Sequence, residues 1–395
     1  MENPKIRFKG FTKDWEQRKF SDIASRESVS RESSYDLPSL EYEDVIAEEG
    51  RLNKDISLKE NIKKGIVFDG SQVLYGKLRP YLHNWLNPDF SGVAVGDWWV
   101  LKPNNADKSF IYRLIQTQRF DDIANQSAGS KMPRADWNLV SNTEFAVPVS
   151  QEEQEKIGEY FSFLDHLITL HQRKCEQTKN LKKYMLQKMF PQNGAKVPEI
   201  RFNGFTHDWE QRKLGDDLVS IHTGTNLLGS ITNTGMPLIK MGNIQRGYFD
   251  TSKVEFLAEN EQPDKADIVN YGDFFFNTRN TLELVGKGAT WMKNSGEYAF
   301  NSNIARFELR NLDTIFFNYL YNTDYMTKQI HARAMGTTSV AAIYPRTLDS
   351  VEYLAPCMKE QQKIGAYFKQ LDHLITLHQR QTDFYKKISF YYIPS

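Results

Sequence analysis

The decapeptide LDHLITLHQR occurs twice in this chain, at 164–173 and at 371–380. The two copies are 207 residues apart, whereas the repeats of solenoid proteins are spaced by about 20 to 50 residues. The repeat therefore indicates a duplicated domain or a pair of partner helices. In both cases the chain is built from two related halves.

A second repeat precedes each decapeptide. The stretch PKIRFKGFTKDWEQRK at 4–19 matches PEIRFNGFTHDWEQRK at 198–213, and we call these two stretches the arms. Each arm holds one tryptophan, Trp15 or Trp209, together with phenylalanines, and aromatic side chains of this kind are usually buried. We therefore expect the arms to be scaffold that packs against the neighbouring helix.

The segments 20–150 and 214–358 share little identity, but they have the same order of features. Both contain short apolar runs of β type, separated by turn residues. In both, an arginine follows the second run, Arg79 in one and Arg279 in the other. We interpret the segments as two copies of one mixed α/β module whose surface has diverged. The runs are Ile66–Phe68, Val73–Tyr75 and Trp98–Leu101 in the first segment, and Leu238–Met241, Asp273–Phe276 and Ile304–Leu309 in the second.

A long helical pattern follows each segment, from Gln151 and from Lys359. Apolar residues recur in alternating steps of four and three, which is the heptad pattern of helices that pair. The pattern predicts that the two helices bury these positions against each other. The predicted seam positions are Ile157, Phe161, Leu164 and Ile168 in the first helix, and Ile364, Phe368, Leu371 and Ile375 in the second.

Composition limits the class of protein. The chain has 395 residues, of which 40% are hydrophobic and 13% aromatic, and this is typical of a soluble globular protein with more than one core. Cys175 and Cys357 are too few for a disulfide framework and favour a reducing compartment. The polar start MENPKIRFKG lacks a signal-peptide core, and no run reaches about 18 apolar residues. We therefore expect a cytoplasmic protein.

The net charge is zero, with 50 Lys and Arg against 50 Asp and Glu. Phosphate contacts supply most of the non-specific affinity for DNA, so a protein that binds DNA by itself usually carries an excess of basic residues. A net charge of zero argues against a protein that binds DNA tightly by itself. It leaves open DNA recognition within a complex whose partner supplies positive surface.

Catalytic motifs are absent from the sequence. The chain has no phosphate-binding glycine loop, no HExxH, no serine elbow and no Cys-x-x-Cys. Asn87-Pro88-Asp89-Phe90 approaches the Asn/Asp-Pro-Pro-Tyr/Phe loop of amino-methyltransferases, but Asp89 stands where the second proline is needed. We therefore expect neither a catalytic site nor a metal site in this chain.

An arm, a divergent module, and a helix that opens with Glu-Gln and carries LDHLI are all present in tandem duplicate. This arrangement resembles the specificity (S) subunit of type I restriction-modification systems, and the resemblance covers essentially the whole chain. The resemblance is most specific at DWEQRK (14–19 and 208–213), at Glu153-Gln154 and Glu360-Gln361, and at the two copies of LDHLITLHQR.

The resemblance implies a function and a set of partners. Two target-recognition domains each read one half of a split double-stranded DNA site, and the conserved helices pair antiparallel to hold them apart. Two methyltransferase (M) subunits dock on the repeated parts, and restriction (R) subunits join the full complex. S-adenosylmethionine, ATP and Mg²⁺ are then bound by these partners and not by this chain. Two copies of one partner need two copies of one surface, which explains the near-identical repeats.

The sequence and the resemblance together predict a mixed α/β (α+β) fold. Two similar globular target-recognition domains are separated by two long antiparallel coiled-coil helices, with a pseudo-twofold internal repeat. The predicted order is an arm at 1–19, the first target-recognition domain at 20–150, the first spacer helix at 151–191, a linker with the second arm at 192–213, the second target-recognition domain at 214–358, and the second spacer helix at 359–395.

Candidate DNA contacts lie after the predicted strands and in polar loops. Arginine and lysine read guanine edges or hold phosphate, and hydroxyl side chains donate hydrogen bonds to phosphate. Ion pairing within the module explains the charged candidates equally well. The candidates are Lys77, Arg79, Ser130, Lys131 and Arg134 in the first module, and Thr223, Thr225, Arg279, Thr337, Thr338 and Ser339 in the second.

Two other functions remain open from the sequence. A single-chain enzyme with fused methylation or cleavage activity would need catalytic motifs that the chain lacks. A coiled-coil adaptor without a nucleic-acid role would differ from a specificity subunit only in that it does not bind DNA.

Overall fold

The computed structural model describes residues 4, 6–59, 61–126, 132–192 and 194–392. The chain divides into two compact units, one formed by Met1–Gln172 with Gln379–Ser395 and the other by Arg173–His378. Each unit combines one module with one arm and with parts of both long helices. This division differs from the predicted one, in which the helices were segments of their own.

The first unit contains short strands and short helices, followed by the start of one long helix. The strands are β1 (Glu16–Lys19), β2 (Ala24–Arg26), β3 (Ser30–Glu32), β4 (Ser39–Leu40), β5 (Val45–Ile46), β6 (Arg51–Leu52), β7 (Lys64–Phe68), β8 (Val73–Gly76), β9 (Trp85–Leu86), β10 (Gly92–Ala94), β11 (Trp98–Pro103) and β12 (Glu144–Val147). The helices are α1 (Phe20–Ile23), α2 (Lys108–Leu114), α3 (Gln118–Ala124), α4 (Trp137–Asn142) and the long α5 (Gln151–Lys188).

Within its described residues, the second unit also has twelve strands. The strands are β13 (Glu210–Lys213), β14 (Leu218–Thr223), β15 (Pro237–Ile239), β16 (Glu255–Phe256), β17 (Phe274–Asn277), β18 (Arg279–Asn280), β19 (Gly288–Thr290), β20 (Ala299–Phe300), β21 (Ile304–Leu309), β22 (Met335–Gly336), β23 (Ala341–Ala342) and β24 (Glu352–Ala355). Three of them (β18, β22 and β23) form a small sheet late in the module. The helices are α6 (Leu214–Asp217), α7 (Thr314–Tyr321), α8 (Asp324–His331) and the long α9 (Met358–Tyr392).

Equivalent four-stranded antiparallel sheets occur in the two units. The strand order is β2-β11-β8-β9 in the first and β14-β21-β17-β19 in the second. All six predicted apolar runs contribute strands, although the run from Leu238 is extended only to Ile239, because Met241–Asn243 forms a 3-10 turn. The shared strand order confirms two copies of one α+β module.

Each arm pairs with the last strand of its module in a separate two-stranded sheet. In the first unit β1 pairs antiparallel with β12, and in the second β13 pairs antiparallel with β24. Trp15 and Trp209 are buried. In both units, an arm arginine forms a two-pronged ion pair with the glutamate near the start of the long helix: Arg7 Nε and Nη2 lie 2.5 and 2.7 Å from Glu153, and Arg201 Nε and Nη2 each lie 2.7 Å from Glu360. The arms are therefore scaffold, as the sequence predicted.

The glutamine after each of these glutamates binds the long helix to main-chain atoms of the module. Gln154 Oε1 accepts a hydrogen bond from the Asp107 N–H at 2.8 Å, and its Nε2 donates to the Pro148 carbonyl at 2.9 Å. Gln361 makes the same two contacts, each at 2.9 Å, with the Asp313 N–H and the Pro356 carbonyl. The repeated Glu-Gln pair therefore fastens each module through groups that any module sequence can supply.

A glycine one turn further along each long helix permits this close docking. A Cβ at Gly158 would lie 2.5 Å from the Ser109 Cβ, and one at Gly365 would lie 2.9 Å from the Phe316 nitrogen. Both distances are shorter than van der Waals contact allows. The motif Lys-Ile-Gly that follows Glu-Gln-x in both halves thus includes a position where only glycine fits without displacement.

The two long helices run antiparallel where they meet within each unit. In the second unit, Lys182 Nζ lies 2.5 Å from Asp372 Oδ1, and further along the chain Phe190 stacks on Phe368 with ring centroids 6.0 Å apart. In the first unit, His171 stacks on Tyr385 at 5.7 Å. In the second unit, the contact moves from Asp372 back to Phe368 in α9 as the chain advances from Lys182 in α5 to Phe190 just after it. The two helices therefore run in opposite directions, which agrees with the predicted antiparallel pairing.

The partners of the predicted seam residues differ from the prediction. Ile157, Phe161 and Leu164 lie in the core of the first unit, together with residues of its module and with Tyr385. The corresponding set lies in the core of the second unit and comprises Ile364, Phe368 and Leu371. Ile168 and Ile375 are only half-buried. The heptad pattern thus identified buried positions, but their neighbours are mainly the modules, because each long helix also forms one wall of a module core.

Replacing Leu164 by alanine should destabilise the first unit by about 2–5 kcal/mol, since the side chain is buried and the substitution leaves a cavity. Chemical denaturation of the full chain measures this loss. Phe163 is 58% exposed one position earlier on the same helix, so Phe163→Ala should change the free energy of unfolding by less than about 0.5 kcal/mol. Equal effects of the two substitutions would contradict the burial of Leu164.

Candidate nucleic-acid interface

The predicted arginines lie on equivalent loops of the two modules. In the first unit the antiparallel pair β8 and β9 is joined by residues 77–84, and Gly76 N donates to the Asn84 carbonyl. In the second unit the antiparallel pair β17 and β19 is joined by residues 278–287, and Asn277 N donates to the Lys287 carbonyl. We call these two loops the strand-end loops. They follow equivalent central strands, and each carries its arginine within three residues of the strand end, Arg79 as the third residue after β8 and Arg279 as the second after β17.

The strand-end loop of the first unit is bound to the segment that precedes α4. Arg79 N donates to the Pro133 carbonyl at 2.7 Å, and Ala135 N donates to the Lys77 carbonyl at 2.8 Å. Arg134 therefore lies beside Lys77 and Arg79, and the structure brings these three predicted residues together. The predicted residues Ser130 and Lys131 lie outside the described residues.

One carboxylate forms ion pairs with two of the three cations in this cluster and partly neutralises them. Asp97 is 3.0 Å from Arg134 Nη2 and 3.5 Å from Lys77 Nζ. Its hydrogen bond with the Arg134 guanidinium lowers the pKa of Asp97, and the same contact raises the pKa of Arg134. Lys77 and Arg134 thus take part in the ion pairing that the sequence left open as an explanation for them.

Arg79 differs from its two neighbours. Its backbone has a φ of 50°, in the left-handed region that non-glycine residues rarely adopt, and its side chain is exposed. Within the described parts of the chain, no group pairs with its guanidinium. A strained backbone that presents an unpaired cation is typical of a functional position.

The strand-end loop of the second unit lies beside an exposed hairpin. Arg279 is opposite Ala342 in the pairing of β18 with β23, and β22 with β23 forms the hairpin. The hairpin turn holds Thr337, Thr338 and Ser339, all of which are exposed, and Leu282 N donates to the Thr338 carbonyl at 3.1 Å. The structure therefore places the predicted arginine and the predicted hydroxyl turn next to each other.

The other two predicted hydroxyls do not share this environment. Thr223 is exposed at the end of β14. Thr225 is buried, its N–H donates to the Phe300 carbonyl, and its Oγ1 accepts from the Leu227 N–H at 3.1 Å. The Thr225 side chain holds a turn within the module in this structure, and its assignment as a DNA contact stays a prediction.

A group of cations at the second strand-end loop was missed by the sequence reasoning. Arg246 Nη2 lies 3.0 Å from His331 Nε2, and Lys287 Nζ donates to Gln245 Oε1 at 2.8 Å. Burial lowers the pKa of His331 and that of Lys287, and in both cases the positive charge of Arg246 lowers it further. His331 Nε2 accepts from the Arg246 guanidinium as a neutral imidazole nitrogen, whereas Arg246 and Lys287 are positively charged and would gain from a bound anion such as phosphate. The three residues are far apart in sequence and match no motif, so only the fold could group them.

Among the helices of the described chain, none combines the length and the apolar character that crossing a membrane requires.

Comparison with known proteins identifies relatives. The sequence profile described as "Type I restriction modification DNA specificity domain" matches twice, at residues 12–180 and 206–383. The type I restriction enzyme MjaVIII specificity subunit of Methanocaldococcus jannaschii is 24% identical over 296 residues, which span 70% of this chain and 66% of that protein. The chain thus matches slightly less than two thirds of that relative's length.

A solved structure supports the fold. The crystal structure of the S subunit of a type I restriction-modification system from M. genitalium covers 100% of this chain and 98% of its own, with a TM-score of 0.63 and 12% sequence identity. At this identity the likeness concerns the fold alone. The profile match covers most of the chain and confirms the resemblance found in its repeats. The chain therefore belongs to the family of type I restriction-modification DNA specificity domain proteins.

Proposed function

We propose that this chain is the non-catalytic DNA-recognition subunit of a type I restriction-modification complex. It reads a split double-stranded site, and each module contacts one half. Two methyltransferase subunits dock on the repeated parts, and restriction subunits join the full complex. S-adenosylmethionine, ATP and Mg²⁺ are bound by these partners. The free cysteines Cys175 and Cys357 are consistent with the reducing cytoplasm as its location.

The observation that carries this proposal is the pair of strand-end loops. They occupy equivalent places in two copies of one fold, yet apart from an exposed arginine they carry different side chains. The first is accompanied by a cluster that Asp97 partly neutralises, and the second by a hydroxyl turn and the cations around Arg246. Two readers of different sequences need this combination of a common fold and divergent contact residues.

The geometry suggests different tasks for these groups. Arg79 and Arg279 each offer a planar guanidinium that can bind the O6 and N7 edge of guanine with two hydrogen bonds. Arg246 and Lys287 fit the DNA backbone, where a phosphate relieves their mutual repulsion. Thr337, Thr338 and Ser339 have hydroxyls that can donate to neighbouring phosphate oxygens. Sequence discrimination is thereby assigned to the two arginines, and positioning to the other groups.

The test is to map the DNA motif that is methylated by the complex of this chain with its methyltransferase. The complex should methylate a bipartite motif, while this chain alone, given S-adenosylmethionine, ATP and Mg²⁺, should neither methylate nor cut DNA. Arg79→Ala should relax one position in one half of the motif, and Arg279→Ala one position in the other. Loss of a guanine contact of this kind reduces discrimination by about 1–3 kcal/mol, or about fivefold to 150-fold.

Arg310→Ala is the matched control, because this exposed arginine of the second unit donates to the Asp216 carbonyl and lies outside the strand-end loop. Its complex should keep the full motif. A uniform loss of methylation at all sites in Arg279→Ala would assign that residue to phosphate. A complex that assembles and does not bind DNA would favour the adaptor function and contradict the proposal.

A further inference from the structure

Three exposed apolar side chains surround the hydroxyl turn of the second unit. Leu282 of the strand-end loop is 41% exposed, and Met335 and Val340, on either side of the turn, are 60% and 69% exposed. We call these three side chains the apolar patch. Single exposed apolar side chains are common at protein surfaces, whereas a group of them around one turn indicates a binding surface.

Two members of the patch share the outer face of the hairpin. From Val340 to Ile343 the residues are alternately exposed and buried, so Val340 and Ala342 project outward while Ala341 and Ile343 enter the core. Met335 is opposite Ala342 in the pairing of β22 with β23. Directly opposite residues of an antiparallel pair project to the same side, so Met335 lies on the face that also carries Val340.

The main chain beneath the patch is fixed. Leu282 N donates to the Thr338 carbonyl at 3.1 Å, which binds the strand-end loop to the turn. Ile343 N donates to the Thr278 carbonyl at 3.0 Å, which binds the end of the hairpin to the start of the same loop. The exposed side chains are therefore held on an ordered support and need little further ordering when they bind a partner.

The charges and hydroxyls around the patch favour DNA as that partner. The hairpin segment 334–345 has no charged residue, and the strand-end loop 278–287 has Arg279 and Lys287 against Glu283, a net charge of +1 (two minus one). Arg279 is opposite Ala342 of the hairpin. An apolar protein surface would leave this arginine and the hydroxyl turn without partners, whereas DNA offers guanine to the first and phosphate to the second.

The first unit has a charged side chain where the second has an apolar one. Arg134 is opposite Leu78 there, as Ala342 is opposite Arg279 in the second unit. Arg134 forms an ion pair with Asp97, whereas Ala342 lies beside the apolar patch. The two modules thus differ in polarity at a place where their folds agree, as expected of readers that meet different base edges.

We propose that the apolar patch reads thymine methyl groups in the major groove of its half of the DNA site, an inference that rests on the proposed function. The major groove is about 12 Å wide and admits a two-stranded ribbon such as this hairpin. Thymine is the only base that presents a methyl group there, so side chains without donors or acceptors recognise thymine. The patch therefore selects A·T pairs near the guanine that Arg279 is proposed to read.

The test compares thymine with deoxyuridine, which keeps every hydrogen-bonding group and lacks only the methyl. The complex of the full chain with its methyltransferase is titrated with duplexes that carry its mapped motif, with one thymine replaced at a time. At least one replacement in the half assigned to Arg279 should weaken binding about fourfold, because burying one methyl contributes about 0.8 kcal/mol. Replacements in the unread gap should have no effect.

A protein variant tests the same contact from the other side. Leu282→Ala with Met335→Ala and Val340→Ala should make the complex bind the thymine and deoxyuridine duplexes equally. Val219→Ala is the control, because this valine of β14 is also exposed, at 52%, and lies outside the loop and the hairpin. Its complex should keep the fourfold preference. The deoxyuridine comparison uses the unmodified chain, so it decides the matter even if the three-change variant fails to fold.

A folded three-change variant that keeps the preference would overturn the inference, as would a half-site in which no thymine is sensitive to loss of its methyl. Loss of restriction-subunit binding in that variant, with the preference unchanged, would also overturn it and assign the patch to a protein partner. In these outcomes the complex still recognises its bipartite motif, so the proposed function stands. A complex that binds no DNA would instead overturn the proposed function itself.

Discussion

Exchanging residues 214–358 for the matching segment of a relative should change one half of the methylated DNA motif and leave the other half unchanged. The physical reason lies at the junction between module and helix. Gln361 contacts the main-chain N–H of Asp313 and the main-chain carbonyl of Pro356, so a module of different sequence can make the same contacts. The exchange also removes Arg279, which is the proposed reader of that half, and the hydroxyl turn that is proposed to bind its phosphates.

The measurement is sequencing of methylated DNA from cells that contain the chimaera and its methyltransferase. Exchange of residues 20–150 provides the matched experiment for the first module, where Gln154 makes the equivalent contacts with Asp107 and Pro148. The two exchanges should alter opposite halves of the motif. If either one changed both halves together, the model of two independent readers would be wrong.

Arg201→Ala should destabilise the second unit by about 3–5 kcal/mol, because it leaves the carboxylate of Glu360 buried without its ionic partner. The Glu360 side chain is 0% exposed, and both of its oxygens accept from the Arg201 guanidinium. Arg7→Ala should have a similar effect on the first unit through Glu153. Chemical denaturation of the full chain, followed by fluorescence and circular dichroism, measures both losses.

Two variants distinguish the buried charge from a general effect of losing a side chain. Glu152→Ala removes the exposed ion pair with Lys156 on the same helix turn and should change stability by no more than about 1 kcal/mol. Arg201→Ala combined with Glu360→Gln removes the charge together with its partner and should recover part of the loss. A double variant as unstable as Arg201→Ala alone would show that the uncompensated charge is not the cause.

The local pattern of apolar residues was enough to predict the central strands and the long helices of the fold. The apolar runs from Val73 and Ile304 became the central strands β8 and β21, since a short run of apolar, β-branched or aromatic residues bounded by turn residues favours a strand without reference to the rest of the chain. The repeats predicted two copies of one module, and the sheets bear this out. The heptads identified Leu164 and Leu371 as buried, but a heptad does not specify which surface covers it.

The candidate interface was predictable only in part. Arg79 and Arg279 were found because each follows a strand, which is a local property. The pairing of Arg134 with Asp97 and the grouping of Arg246 with His331 depend on contacts across 37 and 85 positions of sequence, and neither has a local signature. The sequence also could not separate Thr225, buried against the backbone, from the exposed hydroxyls of the hairpin turn.

The sequence by itself determined the duplication, the kind of module and the family, because repeats and hydrophobic periodicity can be recognised from the order of the residues alone. Only the tertiary structure shows which groups the repeated residues contact. Glu153 and Glu360 bind the arms, Gln154 and Gln361 bind module main chain, and Tyr160 and Tyr367 pack edge to face on arm phenylalanines. Each role depends on which group of a distant segment lies within a few ångströms, and folding creates that proximity.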